Sequence, residues 1–488
     1  MRWTTSCATT DDVIITFENC NVINFDGNDH HINFKNKYNL NSGAFSIEVW
    51  IKSNSTNSNI QTIISKRFST NSTDGYDLRL VNNFISFHWN NGHSITSIYP
   101  INSNRWYHIA VTFSGSNYNL YVDGVIVKGP ISGSNPTLNS VNCIVGAMDQ
   151  NNTTPFNHFS GWIDELRIWN TEISVNQIRQ MMNQQIENNG GIVKGGIVPK
   201  NINGLTWENL AGYYQMNGAT DINNGYLLDK STSVTNGKIK NIYTPQPETA
   251  PLPYTSRDNG AWETDNTWTY YDVWDTPYSV GIDSSTKIDW NIVKTSHNIT
   301  SNSNKIVLGL VVNSNTLSAA NDSKIEISSY LKLDGKIDLI GKSQLVQTLE
   351  SDLDVTSAGS IERDQQGQSN LYNYNYWSSP TSPINTIANN TNYTIGAMLK
   401  DGTTSTPQNI NWISGYNGAP TSPISIARYW LFKFDNYENA YANWSQLIET
   451  STLRVGQGFT MKGSGAVSYT HLRAHETGRN LVCRLLLE

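Results

Sequence analysis

The stretch RWYHIAVTFSGSNYNLYVDGVIV, residues 105–127, alternates apolar and other side chains with the period of two that a pleated strand imposes. The turn signals SGSN (114–117) and DG (123–124) interrupt this alternation, and the second is typical of a two-residue hairpin. The stretch therefore predicts three short antiparallel strands with one apolar face. Because three strands cannot bury that face alone, we expect a larger sheet covered by a second layer, the centre of a β-sandwich. The residues predicted to face its core are Tyr107, Ile109, Val111, Phe113, Tyr118, Leu120 and Val122.

The composition indicates a globular chain with few charges. Of the 488 residues, 38% are hydrophobic and only 15% are charged, so Asn, Ser, Thr and Gly fill the polar positions, as suits strands and turns. The formal net charge is −7 without any basic block, which argues against a nucleic-acid partner because phosphate binding needs clustered Lys and Arg. No run of about 18 apolar residues exists, so we expect no membrane span.

Downstream of the sandwich pattern, the period changes from two to 3.6. Ser174 and Gln177 have the spacing of a capping box, and Gly190 marks the end of the pattern. We therefore predict one helix over residues 174–188, followed by a linker at 190–199. The apolar stripe of this helix is Val175, Ile178, Met181, Met182 and Ile186.

A proline cluster at residues 244–253 marks the clearest domain boundary. Beyond it, apolar pairs recur at six-residue steps, as in the rungs of a triangular β-solenoid. The alternative is a hairpin through Asp334 and Gly335, since that dipeptide forms a good two-residue turn. The recurring pairs are Ile325 and Ile327, Leu331 and Leu333, and Ile337 and Leu339.

Four motifs in order resemble the laminin-G-like jelly roll of the concanavalin A-like lectin and glucanase superfamily. They are FDG at residues 25–27 with Asp29, FSIEVWI at 45–51, WYHIAVTF with LYVDG at 106–124, and GWIDELRIWN at 161–170. The resemblance covers about residues 12–188. It implies a non-catalytic binding module, for a glycan or for a protein, in a secreted or cell-surface adhesin.

With this resemblance, the sequence predicts an all-β chain in several regions. A jelly-roll β-sandwich takes residues 12–188, flanking strands and a Pro-rich linker take 189–259, a solenoid-like region takes 260–362, and a β-rich region of unknown fold takes 363–466. Residues 467–488 depart from the Asn/Ser/Thr-rich composition and resemble translated sequencing adapter, so we expect a non-native tail there.

The resemblance does not extend to a catalytic centre. Glucanases of this superfamily carry an E-x-D-x-x-E strand that aims acids at one sugar, whereas Asp164 and Glu165 are adjacent and so point to opposite faces. We therefore predict no enzymatic activity. The alternative is an accessory region of a polysaccharide-degrading or sialidase-type enzyme whose catalytic domain is missing; SRDNGAW (256–262) resembles one imperfect sialidase Asp box.

Three phrases in the last third resemble large surface proteins exported by type IX secretion in gliding bacteria. They are YNYNYWSSP at 372–380, YWLFKF at 429–434 and VGQGFTMKG at 455–463. This resemblance implies an extracellular or cell-surface location. Because the N-terminus lacks the apolar region of a signal peptide, we expect the chain to start partway through a longer protein.

A glycan site is predicted on the sheet face opposite the core. Alternation places Glu48 and Trp50 on that face of one strand, and Trp106 and His108 on that face of another. Indole stacks on the C–H faces of sugars, while acids and imidazole pair with hydroxyls. The alternative is that both tryptophans pack beneath a loop or the 174–188 helix. The rim aromatics Trp89, Tyr99 and Phe156 are then the substitute contacts.

A structural calcium ion is a second prediction that the resemblance suggests. In the family, the FDG turn and the IDE strand lie side by side, so oxygens of Asp26, Asp29 and Asp164 are expected to converge. Asp is also common in turns for local hydrogen bonds alone. Among Cys7, Cys20 and Cys143, one disulfide or three buried free thiols are equally open.

Overall fold

The computed structural model describes residues 2–4, 10–12, 22–55, 59–150, 154–243, 245–246, 248–383, 391–404, 406–435, 443–465 and 470–476. They belong to two compact units, which we describe separately. The sandwich unit takes residues 1–194, 201–250 and 282–284, and the solenoid unit takes 195–200, 251–281 and 285–488. None of the helices in these described ranges has the length and apolar character to cross a membrane.

The strands of the sandwich unit are short and mostly antiparallel, because turn residues interrupt the alternating pattern every few residues. They are β1 Arg2–Thr4, β2 Thr10–Asp12, β3 Val22–Asp26, β4 His31–Asn33, β5 Phe45–Ser53, β6 Gln61–Lys66, β7 Tyr76–Val81, β8 Phe84–Trp89, β9 His93–Thr96, β10 Trp106–Phe113, β11 Asn117–Val122, β12 Val125–Ser132, β13 Ile144–Val145, β14 Ser160–Trp169, β15 Ile186–Asn189, β16 Ile192–Gly195, β17 Asn201–Thr206, β18 Leu210–Tyr214, β19 Tyr226–Leu227, β20 Gly237–Lys240 and β21 Pro245–Gln246. Two helices, α1 Val175–Met181 and α2 Gly218–Asn224, and a 3₁₀ turn at Trp207–Asn209 accompany them.

Two sheets form the sandwich. The first has the order β12-β11-β10-β5-β14-β3-β21, with β18 also paired to β14, and the second has the order β19-β20-β4-β13-β6-β7-β8-β9. The predicted meander is confirmed as β10, β11 and β12, and all seven side chains predicted for its core face lie in the buried cluster between the sheets. The segment at 201–250, predicted to flank the sandwich, adds β18, β20 and β21 to these sheets.

A second layer covers the other face of the first sheet. Helix α1 and the three-stranded sheet β15-β16-β17 pack there over an apolar cluster that includes Trp169, Ile178 and Trp207. The capping box is confirmed, since the Ser174 hydroxyl accepts from Gln177 N and the Gln177 side chain accepts from Ser174 N. Within the segment 190–199, predicted as a linker, residues 190–194 provide a turn and most of β16 in this layer.

The helix is shorter than predicted, since α1 ends at Met181 and Ile186 begins a strand. The last helical carbonyls have partners from the sheet below: Arg167 donates to Met181 O and Gln184 O, and Trp50 donates to Met182 O. These contacts satisfy groups that a longer helix would satisfy internally. The apolar period continues past Met181 only because Ile186 faces the same core from a strand.

The solenoid unit begins with parallel strands. They are β22 Tyr254–Thr255, β23 Gly260–Ala261, β24 Ile292–Thr295, β25 Ile299–Ser301, β26 Lys305–Val312, β27 Thr316–Ala319, β28 Lys324–Leu333, β29 Lys336–Leu339, β30 Gln344–Gln347, β31 Asp352–Leu353 and β32 Ser360–Gly367, with a 3₁₀ turn at Asp265–Thr267. Each turn of the chain stacks in register on the next, for about four turns. The solenoid prediction is confirmed and the hairpin alternative is wrong, because β29 pairs with β27 and β32 and not with β28. The six side chains of the predicted pairs are all buried.

The remaining elements follow the solenoid. They are β33 Tyr374–Ser378, β34 Asn392–Thr394, β35 Leu399–Asp401, β36 Gln408–Asn409, β37 Asn411–Ile413, β38 Ser425–Ala427, β39 Phe432–Asp435, β40 Asn443–Gln446, β41 Thr452–Arg454, β42 Gly458–Lys462 and β43 Thr470–Glu476, with the helix α3 Ile395–Met398 and a 3₁₀ turn at Arg428–Trp430. Four of these strands form an antiparallel sheet of order β33-β42-β39-β40. One face of this sheet, which includes Trp377, Phe459 and Met461, packs into an apolar cluster.

Of Cys7, Cys20 and Cys143, the structure describes the last. Cys143 is a buried free thiol whose pKa burial raises to about 12. Cys7 and Cys20 lie outside the described residues.

Candidate functional site

The structure brings the four residues of the predicted glycan face together but buries them. Trp50 and His108 are paired across β5 and β10, with their rings 5.3 Å apart. Trp50 and Trp106 are 2% exposed, His108 is 1% exposed and Glu48 is 0% exposed. A side chain so covered cannot stack on a sugar. The prediction of an open face here is therefore corrected: the four side chains are covered, and Trp50 lies beneath the end of the helix.

Polar contacts as well as apolar ones hold this covered face in place. Trp50 Nε1 donates to Met182 O at 2.7 Å, and Trp169 Nε1 donates to Glu48 Oε1 at 3.1 Å. Arg167 lies at the centre, 3.3 Å from Glu48 and 2.6 Å from Glu165. Burial acts to raise the pKa of Glu48, but Arg167, His108 and Trp169 together outweigh it, and the pKa is lowered. The cluster thus stabilises the helix layer on the sheet.

The rim aromatics are not open either. Trp89 is 1% exposed and stacks on Tyr118 with ring centroids 4.0 Å apart. Tyr99 is half-buried against the sandwich core, and Phe156 is half-buried in a bridge to Met148. Trp89 therefore offers no free ring face to a sugar, and Tyr99 and Phe156 are only partly exposed.

The predicted calcium set divides into two places. Asp26, Asp29 and His30 have ligand atoms within 4.8 Å of one another. Asp164 is not among them: Ser160 pairs with Asp26, so Asp164 lies four residues, about 13 Å, further along the ladder. Asp164 is therefore corrected out of the set.

The Asp26 carboxylate already has a local role. Its Oδ1 accepts backbone N–H groups from Asn28, Asp29 and His30 at 2.9 to 3.2 Å. Burial acts to raise the pKa of Asp26, but these hydrogen bonds outweigh it and lower the pKa to about 2. Two exposed carboxylates are hard oxygen donors that fit a weak calcium site completed by water. Calcium at this turn stays a prediction, with Asp26 and Asp29 as its ligands.

The open site lies on the sheet β33-β42-β39-β40, on the face opposite its apolar cluster. Strand pairing places side chains there in three rows about 7 Å apart along the strands. Tyr376, Thr460, Phe432 and Gln446 form the middle row. Ser378, Gly458, Phe434 and Trp444 form the row on one side, and Tyr374, Lys462 and Trp430 form the row on the other.

Small residues on the second strand open a groove along this face, which we call the aromatic groove. Thr460 lies at its floor on β42, and Gly458 follows in the next row of the same strand, where it carries no side chain. Tyr374 and Tyr376 form one wall, and Phe432 and Trp444 form the other. The cavity measures about 360 Å³, within the usual range for small-ligand sites.

The rings of the groove are exposed yet fixed by one another. Tyr376 is 72% exposed and Trp444 is 52% exposed. The Phe434 and Trp444 rings meet edge to face at 5.1 Å, as Tyr374 and Trp430 do at 6.1 Å. Such edge contacts hold a ring in place and leave its face free. The groove thus offers free aromatic faces beside the polar Thr460.

The segments that build this groove stand out in the sequence, but none of their residues was predicted to form a site. The signal was the alternation of Tyr374 and Tyr376 in YNYNYW and of Phe432 and Phe434 in YWLFKF. Alternation shows that each pair shares a strand face. It does not show that the two strands, some 60 residues apart, flank the same third strand, or that nothing in the described residues covers the rings.

Comparisons with known proteins bear on the fold. Residues 26–179, less than half of the chain, match the sequence family described as the concanavalin A-like lectin/glucanases superfamily. No curated protein sequence matches the chain significantly. The jelly-roll sandwich expected from the sequence is therefore supported by both the family match and the two sheets.

Solved structures also show similarity. A candidate carbohydrate binding protein of Bacteroides ovatus is 19% identical over 48% of this chain, with a TM-score of 0.35, and the chain spans 62% of its length. A pentraxin of Limulus polyphemus is 15% identical over 34% of this chain and 83% of its own, with a TM-score of 0.28. The sialidase module CBM40 of Ruminococcus gnavus, bound to α2,3-sialyllactose, is 15% identical over 28% of this chain and 80% of its own, with a TM-score of 0.25.

Proposed function

We propose that this chain is a non-catalytic glycan-binding protein that acts outside the cell or at its surface, and that the aromatic groove is its sugar site. The observation that carries this proposal is an open groove whose walls are free aromatic faces. Sugar rings present apolar C–H faces that stack on such rings, and their hydroxyls pair with nearby polar groups.

The arrangement of the groove suits an extended oligosaccharide better than a compact ligand. Strand β42 runs along the groove, so a ligand that lies on Thr460 and Gly458 meets Tyr376 and Phe432 in one row and Phe434 in the next. The exposed Ser378 and Gln446 lie within the same rows and provide hydrogen-bonding groups for hydroxyls. Polar contacts of this kind fix the orientation of a sugar that the rings hold.

The sandwich unit supports the proposal through its fold alone. Its similarity to the concanavalin A-like superfamily is consistent with a binding module of a secreted protein, while its predicted glycan face is covered. The surface adhesin role belongs to the proposal on that similarity, and the type IX export route and the extracellular location belong to it on the resemblance of residues 372–380, 429–434 and 455–463 to exported surface proteins.

Binding to a panel of soluble polysaccharides, measured by affinity electrophoresis and then calorimetry, tests the proposal. We expect Tyr376→Ala and Trp444→Ala each to weaken binding at least ~10-fold, as loss of a contact ring does. Tyr243→Ala is the matched control, because Tyr243 is a 76% exposed tyrosine in the sandwich unit.

A third variant blocks the groove without removing a ring. A Cβ at Gly458 meets only Trp377 O, at 3.6 Å, so Gly458→Val fits the strand while its side chain fills the floor. We expect this variant to stay folded and to lose binding. The proposal fails if no glycan in the panel binds, or if binding persists in all three folded variants.

A further inference from the structure

A single cation stands at one end of the aromatic groove. Lys462 is the last residue of β42 and pairs across the sheet with Tyr374. Its Nζ lies 3.5 Å from the centroid of the Trp430 ring and 5.0 Å from that of Tyr374. These two cation–π contacts fix the position of the ammonium group at the row that ends the groove.

This ammonium has no carboxylate partner within the described chain, unlike its neighbours. Arg428 forms a two-bonded ion pair with Glu449 at 2.6 and 2.7 Å. Lys433 pairs with Asp435 at 3.1 Å, and strand alternation places both on the other face of the sheet. Lys462 therefore presents an uncompensated positive charge to whatever occupies the groove.

The rest of the groove is free of negative charge. Its three rows contain aromatic, hydroxyl, amide and glycine residues but no Asp or Glu, as the strand pairings show. A neutral sugar polymer leaves the charge of Lys462 without a counterion. A polymer with acidic groups supplies that counterion, and no acidic residue in these rows repels it. The ring contacts have already restricted the movement of the lysine.

We propose that the aromatic groove selects an anionic glycan, whose carboxylate or sulfate group pairs with Lys462 Nζ while its rings stack on Tyr376 and Trp444. This inference rests on the proposed function of the same groove. The strand spacing of about 7 Å places Lys462 one row beyond Thr460, so the charged group belongs to the sugar at the end of the bound segment.

Matched pairs of polysaccharides test the inference on the full chain. Polygalacturonate and its methyl ester share a backbone and differ in carboxylate charge, and carrageenan and its desulfated form share a backbone and differ in sulfate. We expect the acidic member of at least one pair to bind ~10-fold or more tightly than the neutral member at low salt. Added salt should weaken the binding of only the acidic member, because salt screens the ion pair with Lys462. The pair that shows the difference identifies carboxylate or sulfate.

Variants at the lysine complete the test. Lys462→Met should reduce the affinity for the acidic member to that for the neutral one, whereas Lys462→Arg, which keeps the charge, should retain the preference. Lys433→Met is the matched control on the opposite face and should change neither affinity. Equal binding of both members of each pair, or a preference that survives in Lys462→Met, overturns the inference while the groove still binds glycan.

Failure of the proposed function looks different. In that case no glycan of the panel or of the pairs binds, or binding persists alike in Tyr376→Ala, Trp444→Ala and Gly458→Val, and the inference falls together with the proposal.

Discussion

The sheet face formed by β5 and β10 and the sheet face formed by β33, β42, β39 and β40 both present aromatic side chains away from an apolar core, but only the second is open. In the sandwich unit, Trp50 and Trp106 are both buried, and Trp50 lies beneath the end of α1, where it donates to Met182 O. In the solenoid unit, Tyr376 and Trp444 remain exposed. The difference shows that an aromatic residue on the far face of a strand can be either core or contact, and that the covering element decides which.

The two faces also differ in how they treat charge. Beneath α1, Arg167 forms ion pairs with both Glu48 and Glu165 away from water. In the aromatic groove, Lys462 rests on two rings and has no acid beside it among the described residues. A covered face must satisfy its charges internally, because unpaired buried charge is costly. An open face can leave a charge for a ligand.

The largest expected effect is a difference between two tryptophan substitutions in how much unfolding free energy each one removes. Trp50→Ala removes a buried ring and the hydrogen bond to Met182 O, so we expect a loss of about 5 kcal/mol in the unfolding free energy of the sandwich unit. Trp444→Ala removes an exposed ring and should cost less than ~1 kcal/mol in its own unit. Urea titration read by hydrogen exchange of β5 and β40 peptides measures both. Equal losses would contradict the comparison.

The next effect concerns the buried ion pairs. Arg167→Leu leaves Glu48 and Glu165 without their cation, so we expect a loss of about 3–5 kcal/mol. The matched variant Arg428→Leu breaks a partly exposed pair in the solenoid unit and should cost no more than ~1 kcal/mol. Adding Glu165→Gln to Arg167→Leu should restore part of the loss. If the double variant is no more stable than the single one, unpaired charge is not the cause.

A smaller effect follows from Asp164, which the structure moves from the calcium set to the buried cluster. Burial and then the neighbouring Glu165 raise the pKa of Asp164 well above its usual value. A carboxyl with a raised folded pKa contributes stability that is present at acid pH and is lost as the pH rises through that pKa.

Asp164→Asn should therefore have little effect at pH 4 and should stabilise the sandwich unit by ~1 kcal/mol or more at pH 8. The amide oxygen can still accept from Ala250 N, as the carboxylate does at 3.2 Å. Differential scanning calorimetry of both proteins at the two pH values measures the difference. A stabilisation that is equal at both pH values would show that proton linkage is not its source.

Local signals were enough to predict much of the fold. The alternation around residues 105–127 predicted the core side of β10 and β11, and the Ser174 capping box predicted the start of α1, because both depend on neighbours in sequence. Which element covers a sheet face depends on contacts between residues that are far apart in sequence. Trp50, for example, contacts Met182, which lies 132 residues later in the chain. The groove pairs Tyr376 with Thr460 and Phe432 with Thr460 in the same way. No alternation within one strand carries that information.

The smallest expected effect is that of calcium on the Asp26 turn. With Asp164 removed from the set, two exposed carboxylates remain, which fits a weak site with a Kd of ~1 mM, as in extracellular modules. At 10 mM calcium such a site adds about 1.4 kcal/mol to the stability of the sandwich unit. We expect Tm in calcium to exceed Tm in chelator by a few degrees, and Asp29→Asn to abolish the difference. Glu208→Gln, which removes another exposed acid of the same unit, should keep it. Equal Tm values with calcium and with chelator would mean that Asp26 serves the turn alone, through the three N–H groups that its carboxylate already accepts.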